Sequence, residues 1–220
     1  MSGISEGRSQ AQRRRRSEDA LLEAAAEMVA ERGVQRASLA SIGGRAGVSR
    51  GLPAHHFGSK DALVTELAAR AQTRVSLAID EAKRREAGES SGLSALDEIV
   101  IGVDAYLELF DEPGPDERAL LVMWGSTFPS SASVDGMAEA ERRSYEGLSE
   151  LIARGHADGS VRPDVDVTTS AVLLHGLMRG VAALYLTDRR PADMRAVRQT
   201  SRQWITAALG CAERAAATSP

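Results

Sequence analysis

The sequence predicts an all-α protein with a small N-terminal helix-turn-helix head and a larger C-terminal helical bundle. Apolar residues recur at helical spacing along the long segments, and no alternating apolar–polar run is long enough for a convincing strand. Breaks that contain Pro or Gly divide the chain into segments of helical length. With 220 residues, 43% of them apolar, the chain suits one or two globular domains.

Composition excludes several classes of protein. The single cysteine, Cys211, allows neither an intrachain disulfide nor a cysteine-based zinc site. The longest apolar run, residues 171–186, is shorter than a membrane span and contains His175 and Arg179. Arg13–Arg16 are not followed by an apolar segment, so they do not form a secretory signal. We therefore expect a cytoplasmic protein with no bound metal and no membrane partner.

Charge is distributed unevenly along the chain. Residues 1–60 hold ten Lys and Arg against six Asp and Glu, whereas the whole chain carries a formal net charge of −4. A basic first quarter on an acidic protein suggests an anion-binding module joined to a domain with another role. Residues 1–16 show no periodicity and are predicted to be a disordered basic arm. Its Arg13–Arg16 run is either a solvated charge run or a segment that follows phosphates.

The first helix is predicted over residues 17–32. Ser17 can act as its N-cap, and Leu21 and Ala25 begin an apolar stripe along one face. Gly33 stands where a residue with positive φ commonly ends a helix.

Two short helices follow. Ser38 can cap a helix that runs to about Ala46, Gly47 permits a left-handed turn, and Ser49 can cap a segment that ends near Phe57. Two helices of about two turns joined by a Gly-containing turn form a helix-turn-helix, whose second helix would enter the DNA major groove.

Residues 20–63 contain a further ordered set of residues: Ala24-Ala25, Gly33, Ser38, Ile42, Ala46-Gly47-Val48-Ser49, Gly51, His55-His56-Phe57 and Ser59-Lys60-Asp61-Ala62-Leu63. Through these residues the segment resembles the DNA-binding domain of TetR-type bacterial transcriptional regulators. The resemblance implies a DNA-binding domain over residues 17–58, a long fourth helix, and a ligand-binding and dimerisation domain over residues 59–215. Residues 216–220 would form a tail.

The sequence departs from this family pattern in and before the recognition helix. Leu52 and Pro53 stand where a small hydroxyl residue and an apolar residue are usual, and Ala54 replaces an aromatic residue. Gly43 and Gly44 weaken the preceding helix. Because Pro53 would be the fourth residue of a helix capped by Ser49, we expect a short or distorted recognition helix that starts later.

The predicted DNA contacts follow from side-chain chemistry. Arg50 could read guanine edges or pair with a phosphate. His55 and His56 could reach DNA, form a metal pair, or pack on the head; adjacent helix positions point apart, which disfavours metal binding. Lys60 should meet a phosphate at the start of the long helix. The full set of predicted DNA-binding residues is Arg16, Ser38, Ser49, Arg50, Gly51, Leu52, His55, His56 and Lys60.

The rest of the chain is predicted to be helical. Ser59 opens a helix that runs to about residue 86, and further helices are expected over residues 93–111, 116–127, 134–157, 166–187 and 191–215. Residues 171–186 are apolar on two faces, so both must be covered. One cover is a second subunit, and the alternative is burial inside a single monomer core. The predicted dimer-interface residues are Leu173, Leu177, Gly180, Leu184, Val197, Trp204, Ile205 and Ala208.

Bulky apolar residues with a few polar groups predict a small-molecule pocket in the same bundle. The candidate residues are Tyr106, Phe110, Met123, Trp124, Phe128, His175, Met178 and Arg179. Each of them, taken singly, is also consistent with an ordinary core position.

The favoured hypothesis is a homodimeric, ligand-responsive transcriptional regulator, usually a repressor in this family. Its expected partners are a palindromic double-stranded DNA operator, a second copy of the chain and a small-molecule effector, without a cofactor. The alternative is a helical ligand- or partner-binding dimer whose DNA-binding head has decayed. An enzyme has no support, because no nucleophile, base and orienting group assemble in the sequence.

Overall fold

The computed structural model describes residues 3–88, 92–126, 135–186 and 192–211, and over these ranges the chain is all-α, as the sequence predicts. The helices are α1 (Gly3–Arg32), α2 (Leu39–Arg45), α3 (Leu52–Phe57), α4 (Lys60–Ala87), α5 (Ala95–Leu109), α6 (Pro115–Ser126), α7 (Asp135–Asp158), α8 (Val167–Tyr185) and α9 (Met194–Leu209). A short 3₁₀ turn over Val34–Arg36 separates α1 from α2.

The chain forms two compact units. The N-terminal unit comprises Met1–Ala71 and Gly114–Ala138, and the C-terminal unit comprises Gln72–Pro113 and Glu139–Pro220. The division therefore falls inside α4, whereas the sequence placed a boundary before Ser59. α6 belongs to the N-terminal unit because it packs along α1. Sequence periodicity identifies each helix but not the neighbour that covers it.

α1 is longer than the sequence predicts. Residues 3–16, expected as a disordered arm, continue the helix that ends at Arg32, so Ser17 is an interior residue and not an N-cap. Gln and Arg are good helix formers, and Arg14 Nε donates to Glu18 Oε1 at 2.9 Å, one helical turn away. Gly33 ends the helix with φ of 79°, as expected.

The helix-turn-helix forms with a later start to its second helix. Ser38 caps α2 and exchanges hydrogen bonds with Ser41 in a capping box, and Gly47 makes the turn with φ of 69°. α3 begins at Leu52 after Gly51, so Ser49 is not its N-cap. The shift puts Pro53 in the first turn, where its missing N–H costs no intrahelical hydrogen bond.

Gly43 and Gly44 have opposite roles in α2, which predicts opposite effects of substitution. A Cβ added to Gly43 would lie 2.9 Å from Ser49 O and 3.2 Å from the Pro53 ring, whereas one added to Gly44 meets nothing within 4 Å. Gly43→Ala should lower the free energy of unfolding by about 1–2 kcal/mol, because overpacking outweighs the gain in helix propensity. Gly44→Ala should raise it by about 0.5 kcal/mol. Urea unfolding of both variants measures the two signs, and a stabilised Gly43→Ala would contradict the close approach.

The C-terminal unit is a helical bundle in which α5 lies against both α8 and α9. α5 is capped by Ser94, and α8 is capped by Asp166, whose side chain accepts from Thr169 N at 2.7 Å. Asp158, at the end of α7, accepts a hydrogen bond from Ala95 N at 2.8 Å. These hydrogen bonds cap the N-terminal ends of α5 and α8, and Asp158 joins the end of α7 to the start of α5.

α8 is apolar for most of its length. Over its most apolar 18 residues the mean hydropathy is 1.4, which by length and composition alone would allow it to cross a membrane. A single helix of this kind is weak evidence for a membrane span. α8 also carries the buried Arg179, 4% exposed, on its inward side.

Candidate functional site

The exposed surface of the helix-turn-helix coincides with most of the predicted DNA-binding residues. Ser49, Arg50 and Gly51 are exposed in the segment before α3, and Ala54 and His55 are exposed on the helix itself. Leu52 is half-buried, and Pro53 packs inward against Gly43. The side of α3 that carries His55 is therefore open, and the exposed cation Arg50 lies in the segment just before the helix.

His56 does not belong to this exposed surface, which corrects the sequence-based expectation. Its side chain is only 7% exposed, and Nδ1 lies 3.3 Å from Glu18 Oε1 on α1. His55 and His56 are adjacent, so they point to different sides of a helix, and the sequence alone could not decide which of them faces inward. His56 anchors α3 to α1, and His55 is the one exposed to solvent.

Two cations flank α3 on the same unit. Arg50 is exposed and makes no ion pair with any described residue. Lys60, at the start of α4, donates from Nζ to Gln35 O at 3.2 Å. An ammonium has three donors, so this bond leaves Lys60 able to bind a phosphate as well. Arg16 and Ser38 are also exposed, and Ser38 has the additional role of capping α2.

Other arginines of the N-terminal unit differ in whether their guanidinium groups are already paired with carboxylates. Arg36, which the sequence analysis did not single out, is exposed in the 3₁₀ turn just before Ser38. Arg45 instead donates to Glu31 Oε2 at 2.7 Å and to Glu27 Oε2 at 2.9 Å. These hydrogen bonds, above all the one with Glu31, raise the pKa of Arg45 and tie α2 to α1. The signal that could have identified Arg36 is its position two residues before Ser38, the predicted N-cap of α2.

The predicted pocket residues divide between the two units. Tyr106, Phe110, Met178 and Arg179 are buried in the C-terminal unit, where His175 is half-buried. Met123, which is buried, and Trp124, which is half-buried, belong to the N-terminal unit, and Phe128 lies outside the described residues.

Four of the C-terminal residues form one polar cluster. Arg179 donates from Nη2 to Glu141 Oε1 at 2.5 Å and from Nη1 to the Tyr106 hydroxyl at 3.1 Å. The other oxygen of Glu141 lies 2.6 Å from His175 Nε2. Tyr106 also stacks near Phe110, with ring centroids 4.9 Å apart. A guanidinium, a carboxylate, an imidazole and a phenol thus converge among apolar side chains, which is the composition of many small-molecule sites.

Electrostatics keep this cluster charged. Burial opposes ionisation of Glu141, but the hydrogen bond with His175 and the charge of Arg179 outweigh it, so the pKa of Glu141 is lowered below 4.5. Burial raises the pKa of the Tyr106 hydroxyl above 10.0, although Arg179 opposes that rise. At neutral pH the cluster therefore contains an ionised Glu141 paired with Arg179 and a protonated Tyr106.

The predicted dimer-interface residues are mostly on the surface of the C-terminal unit. Leu173 is 67% exposed, Leu184 54% and Trp204 66%, although these are large apolar side chains. Gly180 on α8 and Ala208 on α9 are also exposed, and Leu177 and Val197 are half-buried. Ile205 is the exception: it is buried within its own subunit, because it lies one position further round α9 than Trp204.

Comparison with known proteins agrees with this architecture. Residues 21–67 match the model of the family described as bacterial regulatory proteins, tetR family. The HTH-type transcriptional repressor KstR2 of Mycolicibacterium smegmatis is 26% identical over 200 residues, which cover 87% of this chain and 88% of that protein.

Solved structures share the fold at lower identity. The ketosteroid transcriptional regulator KstR2 of Mycobacterium tuberculosis is 20% identical, with a TM-score of 0.63 over 88% of this chain and 95% of that one. AibR, in complex with isovaleryl coenzyme A and operator DNA, is 13% identical, with a TM-score of 0.65 over 84% and 96%. The family match over the helix-turn-helix, together with the relative that spans most of the chain, supports a TetR-type bacterial transcriptional regulator.

Proposed function

We propose that this regulator is a cytoplasmic homodimer that represses transcription from a palindromic operator and leaves it when a small molecule binds. The observation that carries the proposal is the exposed surface of the helix-turn-helix, where Arg50 and His55 are open to solvent and Lys60 stands at the start of α4. Repression rather than activation is supported by the relative from Mycolicibacterium smegmatis, which is a transcriptional repressor.

Each exposed residue has a role in this proposal. Arg50 precedes α3 and can reach a guanine edge or a phosphate, and His55 projects from the open side of α3 towards the groove. Lys60 binds a backbone phosphate. Phosphate contacts orient the protein on the duplex, and base contacts select the sequence.

The homodimer is supported by the apolar surface of α8 and α9. Leu173, Leu184 and Trp204 are large apolar side chains that stay more than half exposed, and exposed apolar surface of this kind marks protein interaction sites. A twofold dimer would present two α3 helices to successive major grooves about 34–36 Å apart, which requires a palindromic operator.

Effector binding is the part of the proposal that rests on the Tyr106–Glu141–His175–Arg179 cluster. A small molecule that binds there can release DNA only if it prefers a dimer geometry that does not fit the operator. α4 is continuous from Lys60 to Ala87, roughly 40 Å, and belongs in part to each unit, so it is the covalent route for such a change. The solved complex of AibR with isovaleryl coenzyme A and operator DNA supports both partners. The proposal includes no catalytic step and no cofactor.

The alternative, a DNA-binding head that has decayed, was suggested by Pro53, by Gly43-Gly44 and by Ala54, and only part of that support remains. Pro53 lies in the first turn of α3, where proline is tolerated, and Gly43 is required by the close approach of Ser49 O. Ala54, exposed in place of an aromatic residue, and Leu52, half-buried in place of a small hydroxyl residue, remain as departures that bear on DNA contact.

Selection from a random DNA library tests the proposal directly. The full-length protein should enrich duplexes that contain inverted half-sites with centres about 10 bp apart or a multiple of that spacing. Addition of candidate effectors should then reduce binding to the enriched duplex without unfolding the protein. Enrichment of no sequence, with equal weak binding to every duplex, would favour the decayed head.

Arg50→Ala should weaken binding to the enriched operator by about 1–3 kcal/mol if Arg50 contacts a base edge, and its base preference should relax at one position of each half-site. If Arg50 contacts a phosphate, the loss should be the same for all sequences. Fluorescence anisotropy with the operator and with single-base variants distinguishes the two. Arg85→Ala, at the exposed far end of α4, is the control and should change neither quantity.

A further inference from the structure

A basic turn of α1 lies next to the recognition helix and is held there by a chain of three side chains. Arg14 Nε donates to Glu18 Oε1 at 2.9 Å, and the same oxygen lies 3.3 Å from Nδ1 of His56 on α3. The His56 side chain is nearly buried, so this contact holds α1 and α3 together inside the N-terminal unit. α1 therefore contacts α3 through Glu18, one helical turn after Arg14.

The Arg13–Arg16 turn is helical and exposed. All four side chains are exposed, and Arg14 keeps 69% of its side-chain surface open although it pairs with Glu18. Successive residues of a helix point about 100° apart, so four consecutive arginines surround the axis. Arg14 and Arg15 are four and three positions before Glu18, and therefore share its side of α1, which faces α3.

Charge complementarity decides what such a turn can bind. Four guanidinium groups within one helical turn repel one another, and Glu18 offsets this for Arg14, with which it forms an ion pair. The polyanion already placed at α3 by the proposed function is the DNA duplex, with a dense row of phosphates on each strand. The turn precedes residues 21–67, so it lies outside the part of the chain that matches the family.

We propose that the Arg13–Arg16 turn binds the phosphate backbone of DNA that flanks each half-site, as a second contact surface independent of base sequence. The proposal rests on the proposed function, because α3 must first engage the duplex. The Arg14–Glu18–His56 joint sets the position of the turn. Arg15 and Arg16 bind phosphates outside the base pairs read by α3, and the operator footprint is extended on both sides.

The experiment compares two charge-matched double variants on duplexes of two lengths. R15Q/R16Q removes two exposed arginines from the turn, and R84Q/R85Q removes two from the far end of α4. Glutamine keeps the helix propensity of arginine, so both variants should fold. Each is titrated against the library-selected operator with one helical turn of flanking DNA on each side, against the same operator trimmed at its half-sites, and against a scrambled duplex, over a series of salt concentrations.

The wild type should bind the flanked operator more tightly than the trimmed one, and R15Q/R16Q should lose that preference. Its slope of log affinity against log salt should fall by about one for each phosphate contact removed, on the flanked operator and on the scrambled duplex alike. The ratio of operator to scrambled affinity should stay unchanged. R84Q/R85Q should behave as the wild type in all three measurements.

Unchanged salt slopes in R15Q/R16Q, or equal wild-type affinity for the flanked and trimmed operators, would overturn the inference while leaving the proposed function intact. A lower operator-to-scrambled ratio in R15Q/R16Q would also overturn it, because the arginines would then read bases. A wild type that shows no sequence preference would instead remove the proposed function, and this inference with it.

Discussion

Replacement of Arg179 by methionine should lower the free energy of unfolding by about 3 kcal/mol at neutral pH. Arg179 is 4% exposed, and its removal leaves the Glu141 carboxylate and the Tyr106 hydroxyl without their guanidinium partner. An uncompensated buried charge is costly because the interior solvates it poorly. The value lies at the lower end of the range for buried pairs, since Glu141 keeps 22% of its surface exposed and still contacts His175.

The loss should depend on pH in a defined direction. The pKa of Glu141 is lowered in the folded protein, so its stabilising contribution is present above its unfolded pKa and is lost as pH falls through the folded value. In Arg179→Met the charge of Arg179 no longer stabilises the Glu141 carboxylate. His175 is then the remaining group that opposes the effect of burial on the pKa of Glu141. The difference between wild type and variant should therefore be largest at neutral pH and smaller at about pH 4.

Urea unfolding at a fixed protein concentration measures both effects, because the stability of the proposed dimer would depend on concentration. Arg142→Met is the matched control: its pair with Glu146 is about half exposed on both sides, and its loss should cost less than about 0.5 kcal/mol. The double variant Arg179→Met/Glu141→Leu should regain much of the lost stability, since it removes both charges together. A single variant as stable as the wild type would show that Arg179 is not held in a buried pair.

Local patterns in the sequence were sufficient to predict the helices and the helix-turn-helix. Ser38, Gly47 and Ser59 are signals read from residues close in sequence, and each acts as expected: Ser59 Oγ, for example, accepts from Ala62 N at 3.1 Å. The first residue of α3 could not be predicted as reliably, because the helix must begin at a residue that leaves Pro53 in its first turn. That in turn depends on Gly43, which lets Ser49 O approach α2.

Residues whose roles depend on distant partners were the ones that sequence reasoning placed wrongly or left undecided. His56 is 38 positions from Glu18, and nothing between them indicates that the two side chains meet. The pair of Arg179 with Glu141 likewise joins α8 to α7 across 38 positions. Periodicity shows that a helix has a buried side but not which residue of another helix lies against it. For the same reason Ile205 was grouped with Trp204, although they face opposite environments.

Replacement of Leu173 by glutamate should separate the proposed dimer and weaken operator binding by about 100-fold or more. Leu173, Leu177, Gly180 and Leu184 recur at helical spacing on the outward side of α8, and Leu173 is 67% exposed. A carboxylate at this position would be desolvated without a partner in the proposed interface. Loss of the second half-site contact removes an avidity of about 10²–10⁴.

Sedimentation measures the oligomeric state of Leu173→Glu, and anisotropy measures its affinity for the operator. Leu77→Glu is the control, because Leu77 is 57% exposed on α4 and lies outside the α8–α9 surface.

A direct probe of the same surface is Trp204, one of two tryptophans in the chain. In a Trp124→Phe background, its emission should shift to the red on dilution as the subunits separate, because a 66% exposed indole gains water. A Leu173→Glu protein that stays dimeric, with Trp204 emission independent of concentration, would place the subunit contact elsewhere and leave the apolar side of α8 for a different partner.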